Sequence, residues 1–152
     1  MFELVKKLTE AWGPSGYEHQ VRALIQAEVA DLADEIYTDG IGNLICRIGE
    51  KGQGKKVMIA AHMDEIGFIV THIDDNGFVR FHTLGGFDPK TLTAQRVIVH
   101  GKKDLIGVMG SKPIHVMTAA ERTKMPKTTD YFIDMGMSKK EVEKYISVGD
   151  SI

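Results

Sequence analysis

The chain has 152 residues, a formal net charge of -2 and a single cysteine, Cys46. That length suits one ordinary domain or two small ones, and the charge gives no electrostatic reason to expect nucleic acid or an anionic membrane as partner. No apolar run approaches the ~20 residues that span a bilayer, the start (Met1-Phe2-Glu3-Leu4) lacks the order of a secretion signal, and lone Cys46 is expected as a small buried hydrophobe in a reducing cytoplasm.

Phe2, Val5, Leu8 and Trp12 recur at helical spacing and predict a first helix, which Gly13-Pro14-Ser15-Gly16 breaks. Ser15 with Glu18 has the spacing of a capping box and predicts a second helix carrying Val21, Leu24, Ile25 and Leu32 on one stripe. His19 is expected on its solvated surface. Short strands are expected at 35–38 and 43–48 around Asp39-Gly40. The glycine- and lysine-rich stretch 49–56 lacks the Gly-Lys-Ser/Thr ending of a phosphate loop and is read as an exposed hairpin.

The organising stretch follows. Val57-Met58-Ile59-Ala60-Ala61 is apolar or small at every position, as a strand covered on both faces would be. It runs into His62, Asp64 and Glu65. The carboxyl end of such a strand is where open α/β sheets hold ligands. His62 is therefore either a metal ligand or a histidine that caps a strand and bonds to backbone.

Beyond Gly67 the texture becomes β. Strands are predicted at 68–73 and 78–83 across Asn76-Gly77, then at 96–100 and 105–109, and at 131–134. The regular spacing suggests a small β-barrel or sandwich. Residues 115–127 are expected as a mobile loop. Ser138 with Glu141 predicts a short capped helix to Tyr145, and 148–152 reads as the start of another strand.

A histidine that binds a divalent metal through one ring nitrogen needs a partner on the other, usually a carboxylate, and Asp64 is near enough to supply it. Hydrolytic zinc takes about three protein ligands and a two-metal site more. Across a two-residue Asn76-Gly77 loop, His72 would pair with Phe81 and His82 with Thr71, on opposite faces, which makes them poor co-ligands. His100 is expected to be exposed at a strand end. His115 sits in the loop, from which it could approach a site on a neighbouring subunit.

Ala61-His62-Met63-Asp64-Glu65-Ile66-Gly67 resembles the first metal motif of the glutamyl or deblocking aminopeptidases that form tetrahedral particles, some of which carry a cellulase or endoglucanase label. The likeness extends to Gly13-Pro14-Ser15-Gly16-Tyr17-Glu18, Thr38-Asp39, Gly42-Asn43-Leu44, Gly85-Gly86-Phe87-Asp88-Pro89, Gln95-Arg96-Val97 and Gly110-Ser111-Lys112-Pro113-Ile114-His115.

The resemblance implies a cytoplasmic aminopeptidase with two divalent ions, zinc or cobalt, acting on the N-termini of peptides. By position, His62 is implied as a metal ligand and Asp64 as the acid that orients the metal-bound histidine and assists catalysis; Glu65 matches without a role. The expected fold class is α/β: residues 1–66 as an incomplete piece of the catalytic domain, 67–148 as an inserted all-β, PDZ-like dimerisation barrel, and 149–152 as the return to the catalytic domain. Dimers are implied to build a dodecamer. The bridging aspartate, paired glutamates, further acid and last histidine of the resemblance have no counterpart in these 152 residues. The chain is thus expected to be a truncation, inactive alone and with at most weak single-metal binding. The alternatives are a non-catalytic association module and, from the endoglucanase label, a glycosidase. The last needs two carboxyl groups about 5–9.5 Å apart, which adjacent Asp64 and Glu65 do not offer on an extended strand.

Overall fold

The computed structural model describes residues 1–49, 52 and 54–152. The chain divides into two compact units, Met1–Glu65 and Ile66–Ile152.

The first unit carries α1 (Phe2–Glu10), α2 (His19–Val29) and a two-stranded antiparallel sheet of β1 (Glu35–Thr38) and β2 (Leu44–Arg47). The Asp39 carboxylate accepts from the N–H groups of Ile41 and Asn43 and from Asn43 Nδ2, which shapes the turn between the strands. Glu35 and Arg47 face each other across the pair, with Arg47 Nε 2.7 Å from Glu35 Oε2. Arg22 Nη1 donates to the Gly42 carbonyl at 2.9 Å and ties α2 to that turn. Among the described residues, Val21 and Pro14 are the buried apolar side chains of this unit. A two-stranded sheet covers little of either face, so Cys46, expected to be buried, is exposed.

Two further expectations fail here for physical reasons. The Ser15–Glu18 capping box does not form: α2 starts at His19 with Glu18 as its N-cap residue and no side-chain bond to the cap. The Glu18 carboxylate instead accepts from Gly16 N–H at 2.7 Å. The doubly covered strand at 57–61 is also absent. Val57, Met58 and Ile59 are 85%, 88% and 94% exposed, and no strand among the described residues pairs with them. An all-apolar run becomes a buried strand only where neighbours supply its ladder and cover its faces. The hairpin expected over 49–56 includes Glu50, Lys51 and Gln53, which lie outside the described residues.

The second unit is a curled antiparallel sheet of β3 (Gly67–Ile73), β4 (Val79–Leu84), β5 (Arg96–His100), β6 (Asp104–Ser111) and β7 (Tyr131–Asp134), in the order β3-β4-β7-β6-β5. α3 (Ala119–Arg122) and α4 (Lys139–Val142) are single turns of helix. Alternation places Val70, Val79, Val99, Met109 and Ile133 inside, each at most 1% exposed. Phe68 stacks on Phe87 at 4.2 Å and meets Phe81 edge-on at 4.9 Å. At one end of the molecule's order, residues 149–152 bond to both outer strands. Phe68 and Ile152 exchange N–H···O bonds of 2.9 and 2.8 Å, Val70 N–H donates to Asp150, and His100 N–H donates to Ser151. The hydrogen-bonded circuit therefore runs from β5 through Ser151 to β3.

Local register departs from expectation at one point. Ile69 pairs with His82 and Val70 with Phe81, but the next pair is His72 with Arg80, so Thr71 is bulged out. The bulge shifts alternation by one residue. Thr71, His72 and His82 are all exposed, so the two histidines share the outer face rather than opposing ones. Residues 115–127 are not a plain loop. A 3-10 turn at Ile114–Val116 leads into α3, whose first turn is closed by a Thr118–Glu121 capping box that a reading for core residues overlooks. The Ser138–Glu141 capping box forms as expected at α4.

Candidate functional site

His62 and Asp64 converge with the loop between α1 and α2. The Asp64 side chain turns back toward the imidazole, and His62 Nδ1 lies 3.1 Å from Asp64 Oδ1 and 3.0 Å from the Asp64 carbonyl oxygen. Both neighbours are acceptors, so Nδ1 carries a proton, and in the neutral ring Nε2 holds the lone pair. The His62 side chain is 86% exposed and that of Asp64 33%. Ser15 Oγ donates to the other carboxylate oxygen, Oδ2. The Ser15 hydroxyl above all holds the Asp64 carboxyl below the usual aspartate range; burial opposes it, and the His62 ring adds to the lowering.

The loop that brings Ser15 here is docked by the neighbouring acid. Glu65 N–H donates to the Gly13 carbonyl at 3.0 Å, Gly13 N–H donates to Glu65 Oε1 at 3.2 Å, and Pro14 and Glu65 form a parallel bridge. Gly13 is required because a Cβ there would lie 2.6 Å from Val21 Cγ1 on α2. Pro14 is fully buried. Gly16 takes φ +89, which the turn closed by Tyr17 N–H and the Pro14 carbonyl demands. Glu65, without a role in the sequence reading, is thus the clamp on this loop. The Ser15–Glu18 spacing predicts a helix cap, and nothing in the local pattern distinguishes a cap from a partner 49 residues away.

The remaining sequence candidates are not gathered at this site. His72 is exposed beside Arg80, and His115 is exposed in the turn at Ile114–Val116. His100, expected to be exposed, has a side chain only 16% accessible, with Nδ1 3.0 Å from Asp104 Oδ1. Among the described residues no three His, Cys, Asp or Glu side chains form a group able to hold a metal ion. At this site, among the described residues, His62 has the chemistry of a donor, with Nδ1 held by Asp64. One donor falls short of the roughly three that a zinc centre takes. These residues by themselves therefore do not fit a metal centre. The carboxylates of Asp64 and Glu65 are engaged by Ser15, His62 and Gly13, which leaves no acid and base facing each other across a gap a sugar would fill.

Comparison with known proteins gives a consistent result. The lysyl aminopeptidase of Pyrococcus furiosus is 41% identical over 143 residues, covering 92% of this chain and 41% of its own length. The crystal structure of a TET aminopeptidase from the marine sediment archaeon Thaumarchaeota archaeon SCGC AB-539-E09 superposes with a TM-score of 0.92 at 38% identity, over 99% of this chain and 43% of that one. The Pyrococcus horikoshii TET1 peptidase, described as able to assemble into a tetrahedron or a large octahedral shell, matches with a TM-score of 0.86 at 37% identity, over 99% and 45% of the two chains. The chain spans well under half the length of the curated relatives it matches. With the profile described as M42 glutamyl aminopeptidase matching residues 42–152, the chain belongs to the M42 glutamyl aminopeptidase family.

Proposed function

We propose that this chain forms the N-terminal part of a metal-dependent aminopeptidase, with two zinc or cobalt ions in the complete enzyme, which removes N-terminal residues from peptides in the cytoplasm. His62 is the metal ligand of this part and Asp64 the acid that orients it and assists catalysis. The observation that carries the reading is the imidazole itself. Nδ1 faces two acceptors of Asp64, and Nε2 is left as a bare donor on an exposed ring. Residues 1–66 are the opening of the catalytic domain, 67–148 the inserted PDZ-like dimerisation module, and 149–152 the return to the catalytic domain. The tetrahedral and octahedral assemblies described for a relative support a homo-oligomer.

The described residues bind and orient; among them no group completes a hydrolytic centre. Purified and supplied with zinc or cobalt, it should show no turnover of amino-acyl amides. It should bind zinc weakly at one site, with a Kd on the order of 1 mM, and His62→Ala should abolish that binding. Metal-dependent hydrolysis by these 152 residues would overturn the assignment of an incomplete centre. Zinc binding that survives His62→Ala would overturn the assignment of the ligand.

A second reading, an association module without catalysis, draws on the contrast between the units. The second has a closed circuit of hydrogen bonds around a buried core, while the first leaves Val57, Met58 and Ile59 exposed. Light scattering should show self-association; a monomer over a wide concentration range would count against this reading.

A further inference from the structure

We propose that Ser15 is a positioning residue, whose hydroxyl holds the Asp64 carboxylate with Oδ1 toward Nδ1 of His62 and so keeps Nε2 as the outward donor of the ring. The proposal rests on the reading of His62 as a ligand.

A carboxylate rotates about χ1 and χ2 unless both oxygens are engaged. Oδ1 meets the imidazole, and Ser15 Oγ takes Oδ2. With one oxygen on each side, the carboxylate has a single satisfied orientation. Without the hydroxyl, Oδ2 turns to water and the pull on Oδ1 loosens.

The local cost shows that this contact is not incidental to the helix. Ser15 and Glu18 have capping-box spacing, yet α2 has no side-chain cap bond at its start. Forgoing such a cap is a cost to the helix. Breaks of a local rule of this kind are expected at functional sites. Docking of the loop does not explain it either. Gly13 and Glu65 already dock the loop through two hydrogen bonds that do not involve Ser15. The hydroxyl adds one contact, and it goes to the acid that faces the imidazole.

The test is made by NMR on the whole chain, near pH 8, where an ordinary imidazole is neutral. Imidazole 15N shifts give the tautomer of His62, and three-bond couplings to Asp64 Cγ give its χ1 population. In the unmodified chain, His62 should be Nδ1–H and Asp64 should occupy one rotamer. Ser15→Ala should average the Asp64 rotamers and raise the Nε2–H to Nδ1–H ratio about threefold, a change equivalent to about 0.7 kcal/mol. The effect is modest because the Asp64 carbonyl still accepts from Nδ1. Ser15→Thr, which keeps the hydroxyl, should restore both signals. Glu65→Ala loses the side-chain bond to Gly13 but keeps the backbone bond from Glu65 N–H to the Gly13 carbonyl and leaves the hydroxyl, so it should change both signals less than Ser15→Ala does.

Ser15→Ala with an unchanged ratio and an unchanged rotamer would overturn the proposal. So would Glu65→Ala producing the same changes as Ser15→Ala, since loop docking would then be the cause. An unmodified chain in which His62 shows no preference for Nδ1–H would overturn both the proposal and the ligand reading beneath it.

Discussion

His100 and Ser151 are joined by a backbone hydrogen bond of 2.9 Å from the His100 N–H to the Ser151 carbonyl, and this bond links β5 to the segment that also pairs with β3. Ser151 is 1% exposed and Ile152 9%. Deleting residues 149–152 would remove five such bonds, two to Phe68, two to Val70 and one to His100, together with burial of the Ile152 side chain. At about 0.5–1.5 kcal/mol per hydrogen bond and about 2 kcal/mol for the isoleucine, the second unit should lose about 4.5–9.5 kcal/mol. Two strand edges would also become available for intermolecular pairing. Amide hydrogen exchange at Phe68, Val70 and His100 should accelerate, and the deleted chain should aggregate. Unchanged protection at those amides would contradict the structural closure.

Gly77 should tolerate no side chain. Its φ is +88, and an added Cβ would collide with the Met137 carbonyl oxygen and lie 2.9 Å from Lys139 N. The Asn-Gly turn therefore serves two demands, the left-handed backbone of the hairpin and the close approach of α4. Gly77→Ala should destabilise the second unit by about 2–4 kcal/mol. Trp12, the only tryptophan, reports on the first unit, so urea unfolding is best followed through the amide signals of Val79 and Ile133. A stability equal to that of the unmodified chain would show that α4 does not pack there.

Glu121 should remain ionised in unusually acid solution. The Lys112 ammonium at 2.7 Å, then the Thr118 N–H and hydroxyl, lower its carboxyl from 4.5 to about 2. Because the folded value is depressed, the support it gives the turn at α3 is complete above the ordinary glutamate range. That support is lost as pH falls from 4.5 toward 2. Carboxyl 13C shifts should show no titration of Glu121 until pH approaches 2, and Lys112→Met should move its midpoint back toward the ordinary range. A midpoint near 4.5 in the unmodified chain would show that the network is not formed in solution.

The exposed run at Val57, Met58 and Ile59 should bind an apolar dye. Anilinonaphthalene sulfonate fluorescence above that of a compact control protein is expected, and the double variant Val57→Lys, Ile59→Lys should lower it. These side chains touch no core, so the unfolding midpoint should move by no more than that of a typical surface substitution, about 0.5 kcal/mol. Fluorescence no higher than the control would contradict the exposure.

The elements that the sequence alone determined are those whose cause lies within a few residues. The strands around Asn76-Gly77, the pair β5 and β6, strand β7 and the Ser138–Glu141 cap follow from alternation, turn chemistry and a spacing of three. The pairing of His62 with Asp64 was equally legible, because the two are separated by one residue. Tertiary structure decided the rest. The Ser15–Glu18 pattern was a sound local signal for a cap, and it lost to a carboxylate brought in from residue 64. The bulge at Thr71 moved His72 to the outer face, a one-residue shift that alternation cannot foresee. The run at 57–61 had the composition of a covered strand, but burial belongs to the neighbours a segment finds and not to the segment. Short-range periodicity is written in the chain; which distant group satisfies a given hydroxyl, backbone edge or apolar face depends on what the fold brings beside it.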